Sequence, residues 1–108
     1  MEFDVRLTSD GQLVVNHDPF TRNVANRDVW VSKSTLAEIQ ALRLVHNGVV
    51  TDHALPTLQS VLAEVSTPIV LELKQETIPD SGLAARTCEV LADFPDIHHR
   101  LIVESFNP

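Results

Sequence analysis

An α/β fold with parallel strands is what this sequence predicts, and three observations predict it. Segments with the two-residue period of a strand alternate with segments carrying the 3.6-residue period of a helix. Their order is strand, hairpin strand, helix, helix, strand, helix, strand. Charged residues collect at the carboxyl ends of the strands. The strand–helix–strand–helix–strand portion implies parallel strands joined by right-handed crossovers, with helices covering one face of the sheet. Such a sheet is either a doubly wound layer or part of a closed barrel.

The elements follow in order. Met1 to Leu7 reads as a strand, because Phe3, Val5 and Leu7 alternate with Glu2, Asp4 and Arg6. Thr8-Ser9-Asp10-Gly11 is a turn, and Asp10-Gly11 suits the positive-φ positions of a tight hairpin. Leu13-Val14-Val15 is a short strand ending at Asn16-His17-Asp18-Pro19. From Pro19 to about Lys33 the pattern is irregular. Ser34 is expected to cap a helix through Leu36, Ile39 and Leu42 or Arg43. A loop spans Val45 to Pro56 and holds His46, Asp52 and His53. Thr57 caps a second helix, with Leu58, Val61, Leu62 and Val65 on one face. Thr67-Pro68 breaks it, and Ile69 to Lys74 is a strand. Asp80 or Ser81 caps a third helix whose inner face is Leu83, Thr87, Val90, Leu91 and Phe94, and Pro95 stops it. Leu101 to Glu104 is the last strand.

Composition narrows the function classes. The chain has 108 residues, 44% hydrophobic and 21% charged, which suits one small globular domain. Net charge is −7, with no Lys/Arg cluster, so a nucleic-acid partner is not expected. No apolar run reaches the ~20 residues of a membrane helix. No basic segment followed by an apolar stretch marks a leader, and a cytoplasmic chain is expected. The single cysteine, Cys88, leaves no internal disulfide, and its helical spacing with Leu83, Thr87 and Leu91 reads as a small buried apolar residue.

The candidate chemistry sits at strand ends. Glu2 and Asp4 are two apart in a strand and share a face. Adjacent carboxylates repel unless solvated or bound to a cation; an exposed edge strand is the plainer alternative. In Val70-Leu71-Glu72-Leu73-Lys74, Glu72 and Lys74 share the other charged face, and an exposed ion pair would explain them alone as well. The carboxyl ends of parallel strands are where α/β folds bind ligands. His17 ends the hairpin strand and could reach the same rim, although a plain loop histidine is more common. Three carboxylates favour a hard divalent ion such as magnesium or calcium. Lys74 could then neutralise a phosphate oxygen, and His17 could protonate a leaving oxygen. His46, His53, His98 and His99 read as structural.

These motifs, in this order, resemble the glycerophosphodiester phosphodiesterase family along nearly the whole chain. Glu2-Phe3-Asp4-Val5-Arg6-Leu7-Thr8 with Asp10-Gly11 is similar to its E-x-D-V-x-x-T-x-D-G. Val14-Val15-Asn16-His17-Asp18 resembles its V-V-x-H-D, and Arg22 falls where it usually has an arginine. Thr35-Leu36-Ala37-Glu38-Ile39, Pro56-Thr57-Leu58, Leu71-Glu72-Leu73-Lys74 and Ser105-Phe106 look like its T-L-x-E-L, P-T-L, I-E-I-K and S-F segments. The resemblance implies a TIM-type (β/α)₈ barrel, here partial: about three barrel strands plus a hairpin strand and helices. It implies metal ligation by Glu2, Asp4 and Glu72, an acid/base role for His17 and a phosphate contact for Lys74. It implies hydrolysis of a small-molecule glycerophosphodiester to an alcohol and glycerol 3-phosphate.

The departures carry expectations of their own. The family's His-Arg-Gly has no counterpart here, and Asn23 stands where a threonine is common. A full barrel takes ~250 residues. Residues 1–108 are therefore expected to be a single incomplete domain, lacking the first strand and the C-terminal half, with little activity alone. Two alternatives stand beside this. One is a lysophospholipase D-like or sphingomyelinase D-like enzyme, with Phe20 and Trp30 as its apolar rim. The other is a non-enzymatic half-barrel that self-associates through exposed sheet edges.

Overall fold

The computed structural model describes residues 2–65, 67–74, 82–96 and 101–106, and at 74 and 104–106 it describes the backbone alone. Six strands and three helices are described: β1 (Glu2–Leu7), β2 (Leu13–Val15), α1 (Leu36–Gln40), β3 (Val45–His46), β4 (Val49–Val50), α2 (Leu58–Glu64), β5 (Ile69–Lys74), α3 (Leu83–Ala92) and β6 (Leu101–Phe106). A single 3₁₀ turn at Val31–Lys33 precedes α1.

Four strands form one sheet in the order β2–β1–β5–β6, and β3–β4 is a separate hairpin. β1 pairs antiparallel with β2 but parallel with β5, and β5 pairs parallel with β6. The two parallel steps are bridged by α2 and α3. One face of the sheet packs on those helices. Val5, Leu13, Ile69, Leu71 and Leu73 from the strands meet Leu58, Leu62, Leu83 and Val90 from the helices, all buried. Burying each such side chain contributes roughly 1.5–3 kcal/mol. Period-two alternation then forces Glu2, Asp4 and Arg6 to the opposite face.

The β1–β2 turn is built by Thr8 and Asp10. Gly11 takes φ 78°, a backbone shape that a side chain would strain. Asp10 Oδ1 accepts from the Thr8 hydroxyl and from the Leu36 backbone N–H, so the turn also holds the start of α1. Arg86 on α3 donates to the Gly11 carbonyl at 3.0 Å and docks that helix beneath the same turn.

Several expectations need correction. Thr35, not Ser34, caps α1, in a reciprocal box with Glu38. The Ser34 hydroxyl instead donates to the Trp30 carbonyl at 2.8 Å. The residue before α3 is Gly82, with φ 90° and no side-chain cap bond; Asp80 and Ser81 lie outside the described residues. Cys88 is exposed. Its neighbour Thr87 takes the inward position with Leu83 and Val90, and one step of ~100° turns Cys88 to solvent. The stretch Val45 to Pro56 is not all loop. Asn47 (φ 51°) and Gly48 (φ 78°) close a hairpin between β3 and β4. The last strand runs two residues past Glu104, to Phe106.

Candidate metal and phosphoryl site

Parallel pairing sets the site. Asp4 on β1 and Glu72 on β5 are direct Cα partners, so they stand side by side across the sheet. Glu2 lies two residues before Asp4 on the same face. The three carboxylates offer ligand oxygens that all lie within 4.8 Å of one another. Asp4 and Glu72 are buried and Glu2 is exposed, so the cluster has a sheltered floor and one wet ligand. Two ionised carboxylates at such a spacing repel by about 3–4 kcal/mol at an effective dielectric near 20. Cationic charge beside them offsets that cost.

Arg6 continues the same face and is also buried. Its guanidinium forks onto the His17 carbonyl, from Nε at 3.1 Å and Nη2 at 2.7 Å. One residue earlier, the Asn16 backbone N–H donates to the Asp4 carbonyl at 3.0 Å. The Asn16 amide donates to the carbonyls of Asp18 and Phe20, closing the turn after β2. His17 is thus fixed through its backbone while its side chain stays 74% exposed.

The His17 ring is oriented by its neighbour. Nδ1 lies 3.0 Å from Asp18 Oδ1. Nε2 makes no hydrogen bond among the described residues. The imidazole beside Asp18, seconded by the Asn23 amide at 3.0 Å, holds the Asp18 carboxyl below its usual range. Asp18, Arg6 and Asn23 were not singled out as functional from the sequence. The adjacency of His17 and Asp18 was a signal for the first. Nothing local marks Arg6 or Asn23, whose partners are fixed by the turn.

The other expected residues divide. Lys74 is the last residue of β5, two beyond Glu72, and its side chain lies outside the described residues, as do His98 and His99. Arg22 pairs with Asp28 at 3.2 Å and lies over the Phe20 ring, 4.1 Å from its centroid. Phe20 packs edge-on against Trp30 with centroids 5.7 Å apart.

Comparison with known proteins gives the family and the fold. The model of the glycerophosphoryl diester phosphodiesterase family matches residues 1–108. The chain is 28% identical over 112 residues to a glycerophosphodiester phosphodiesterase of Caldanaerobacter subterraneus, covering 99% of this chain and 46% of that protein. The same identity and coverage hold for the uncharacterized protein YqiK of Bacillus subtilis. A solved glycerophosphodiester phosphodiesterase of Agrobacterium tumefaciens superposes with a TM-score of 0.81 at 22% identity, over 98% of this chain and 44% of that one. One from Parabacteroides distasonis gives a TM-score of 0.78 at 27% identity, over 98% and 42%. The chain therefore spans less than half the length of these relatives, and its sheet is part of a (β/α)₈ barrel.

Proposed function

The chain belongs to the glycerophosphoryl diester phosphodiesterase family, and from that premise we propose that it carries the metal-binding part of an enzyme that hydrolyses glycerophosphodiesters to an alcohol and glycerol 3-phosphate. The observation that carries this reading is the meeting of Glu2, Asp4 and Glu72 oxygens within 4.8 Å.

A hard divalent cation, magnesium or calcium, fits this donor set, because all three ligands are carboxylates on rigid strands. Glu2, Asp4 and Glu72 would hold it, and when bound it would supply positive charge to a phosphate oxygen and acidify a nucleophile. Water forms the new bond to phosphorus as the bond to the alcohol oxygen breaks; where the glycerol hydroxyl attacks instead, water then opens the resulting cyclic phosphate to glycerol 3-phosphate. The proton that the departing oxygen needs comes from His17 Nε2. Asp18 keeps the His17 ring turned so that Nε2 points outward. Lys74 is assigned the developing charge on the phosphate.

The chain of 108 residues has one histidine in this reading where the family motif carries a second, with an arginine, in His-Arg-Gly. Losing one member of an acid/base pair costs ~10²–10⁴ in rate, so the chain assayed alone should be nearly inactive. The direct test is calorimetric titration with magnesium and calcium. Saturable binding that disappears in Asp4→Asn and Glu72→Gln supports the proposal, and unaltered binding in both would falsify it.

A second reading has its own observation. β6 is an edge of the sheet, and Ile102 and Val103 on it are 60% and 45% exposed. We propose self-association through that edge at high concentration. A monodisperse monomer in sedimentation at millimolar concentration would count against it. The lysophospholipase D-like alternative needs a broad apolar rim. With Phe20 covered by Arg22 and Trp30, only Trp30 of the expected pair is exposed.

A further inference from the structure

Beside His17 lies a cavity of about 520 Å³ that opens between the end of β2 and the β3–β4 hairpin. Its size falls within the ~300–1,000 Å³ typical of small-molecule sites. Val15, Val24, Leu44, Val45, Leu55 and Pro56 supply its apolar walls, and the rest of its lining is amide, hydroxyl and imidazole, His17 included. The walls are tied together by backbone. Val45 N–H donates to the Val24 carbonyl at 2.8 Å, Leu44 N–H to His53 at 2.7 Å, and Thr51 N–H to Leu44 at 2.8 Å. The cleft is therefore preformed.

We propose that this cleft takes the alcohol moiety of the diester, and that it favours an uncharged alcohol with an apolar body over a quaternary ammonium such as choline. The proposal rests on the functional reading above. His17 belongs both to the cleft wall and to the turn that Asn16 ties to Asp4. An oxygen leaving toward His17 Nε2 puts its carbon chain against the apolar walls. Selective capture of a quaternary ammonium relies on aromatic faces or a carboxylate. Among the described residues the lining has no Trp, Tyr or Phe face and no carboxylate; its only aromatic rings are the weaker imidazoles of His17, His46 and His53. The net charge of −7 acts the other way, drawing cations to the whole molecule. That attraction is long-ranged and fades in salt, whereas the lining acts on contact.

The test is amide NMR of the full 108-residue chain in ~0.15 M salt, where the screening length is about 8 Å. The probes are sn-glycero-3-phosphocholine and its 1-butanol counterpart, each with and without magnesium. The butyl ester should shift Val24, Val45 and Thr51 and bind about tenfold more tightly than the choline ester, the scale on which apolar pockets discriminate. Val45→Trp should abolish those shifts while the magnesium response of Asp4 and Glu72 persists. Val45→Asp should raise choline-ester affinity. Equal or tighter choline binding to the unmodified chain overturns the proposal, and so does silence at the cleft. Magnesium shifts at Asp4 and Glu72 with a silent cleft sink this inference alone. A filled cleft with no magnesium response sinks the functional reading and leaves the cleft a binding site.

Discussion

Asp4 and Glu72 sit shoulder to shoulder on adjacent parallel strands, both buried, although 67 intervening positions separate them along the chain. The strand register alone brings them together. Slipping β5 by one residue would place Leu71 or Leu73 beside Asp4 and turn Glu72 into the helix-packed core. The buried leucines on one face therefore fix the carboxylates on the other.

Metal should stabilise the fold through that pair. A ligand at a hundred times its dissociation constant adds about 2.7 kcal/mol to a native state that alone binds it. For a domain of this size, that raises the melting temperature by on the order of 10 °C. Calorimetric scans with and without magnesium or calcium should show the rise in the unmodified chain and none in Asp4→Asn. An equal rise in both would place the ion elsewhere.

Acid should loosen the region around the β1–β2 turn. The Thr8 hydroxyl, then the Leu36 N–H, hold the Asp10 carboxyl below its ordinary value of 3.8. His17 and Asn23 do the same for Asp18, and Thr35 does it for Glu38 from an ordinary 4.5. A carboxyl with a lowered folded-state pKa contributes stability above its unfolded pKa, and that stability is lost as pH falls through the folded value. Urea midpoints should be level above about pH 5 and decline once pH drops below 4. Asp10→Asn should flatten part of that decline. A profile identical to that of the unmodified chain would remove Asp10 from the explanation.

Arg6 should matter to His17 without touching its ring. The guanidinium fork on the His17 carbonyl is charge-assisted and partly buried, and such bonds are worth roughly 1.5–3 kcal/mol. Arg6→Ala should cost about that much in urea unfolding and broaden the His17 imidazole resonances. Arg6→Lys should recover only part, since an ammonium does not reproduce the fork. A cost under about 0.5 kcal/mol for Arg6→Ala would show that the turn holds itself.

The sheet and most of the site were legible because periodicity reports faces. Alternation in Glu2–Leu7 and Ile69–Lys74 told which residues turn from the core, and those were the carboxylates. What the sequence hid was non-local or a choice among equals. Ser34 and Thr35 are similar caps by type, but only Thr35 has a glutamate three residues on, and the box it closes with Glu38 decides between them. The Asn47-Gly48 hairpin carried a recognisable signal, yet its strands are two residues each, too short for alternation to register. Asn23 gains its role from the fold of the turn, which brings its amide to Asp18.

Cys88 gives the last test, because spacing on a helix is an imperfect guide to burial. Leu83, Thr87 and Val90 define the inward line of α3, and Thr87 fills the place a small residue would take by donating its hydroxyl to the Leu83 carbonyl at 2.8 Å. Cys88 and Glu89 then face solvent together. An exposed thiol makes few packing contacts, so Cys88→Ser should change unfolding free energy by no more than about 0.5 kcal/mol. Thr87→Val keeps the shape but discards the hydroxyl bond to Leu83, and should be felt more. The native chain should also react with a thiol reagent such as dithiobis-nitrobenzoate without added denaturant. Reaction only after unfolding would mean that α3 is rotated about its axis, and the inner face assigned to it would be wrong.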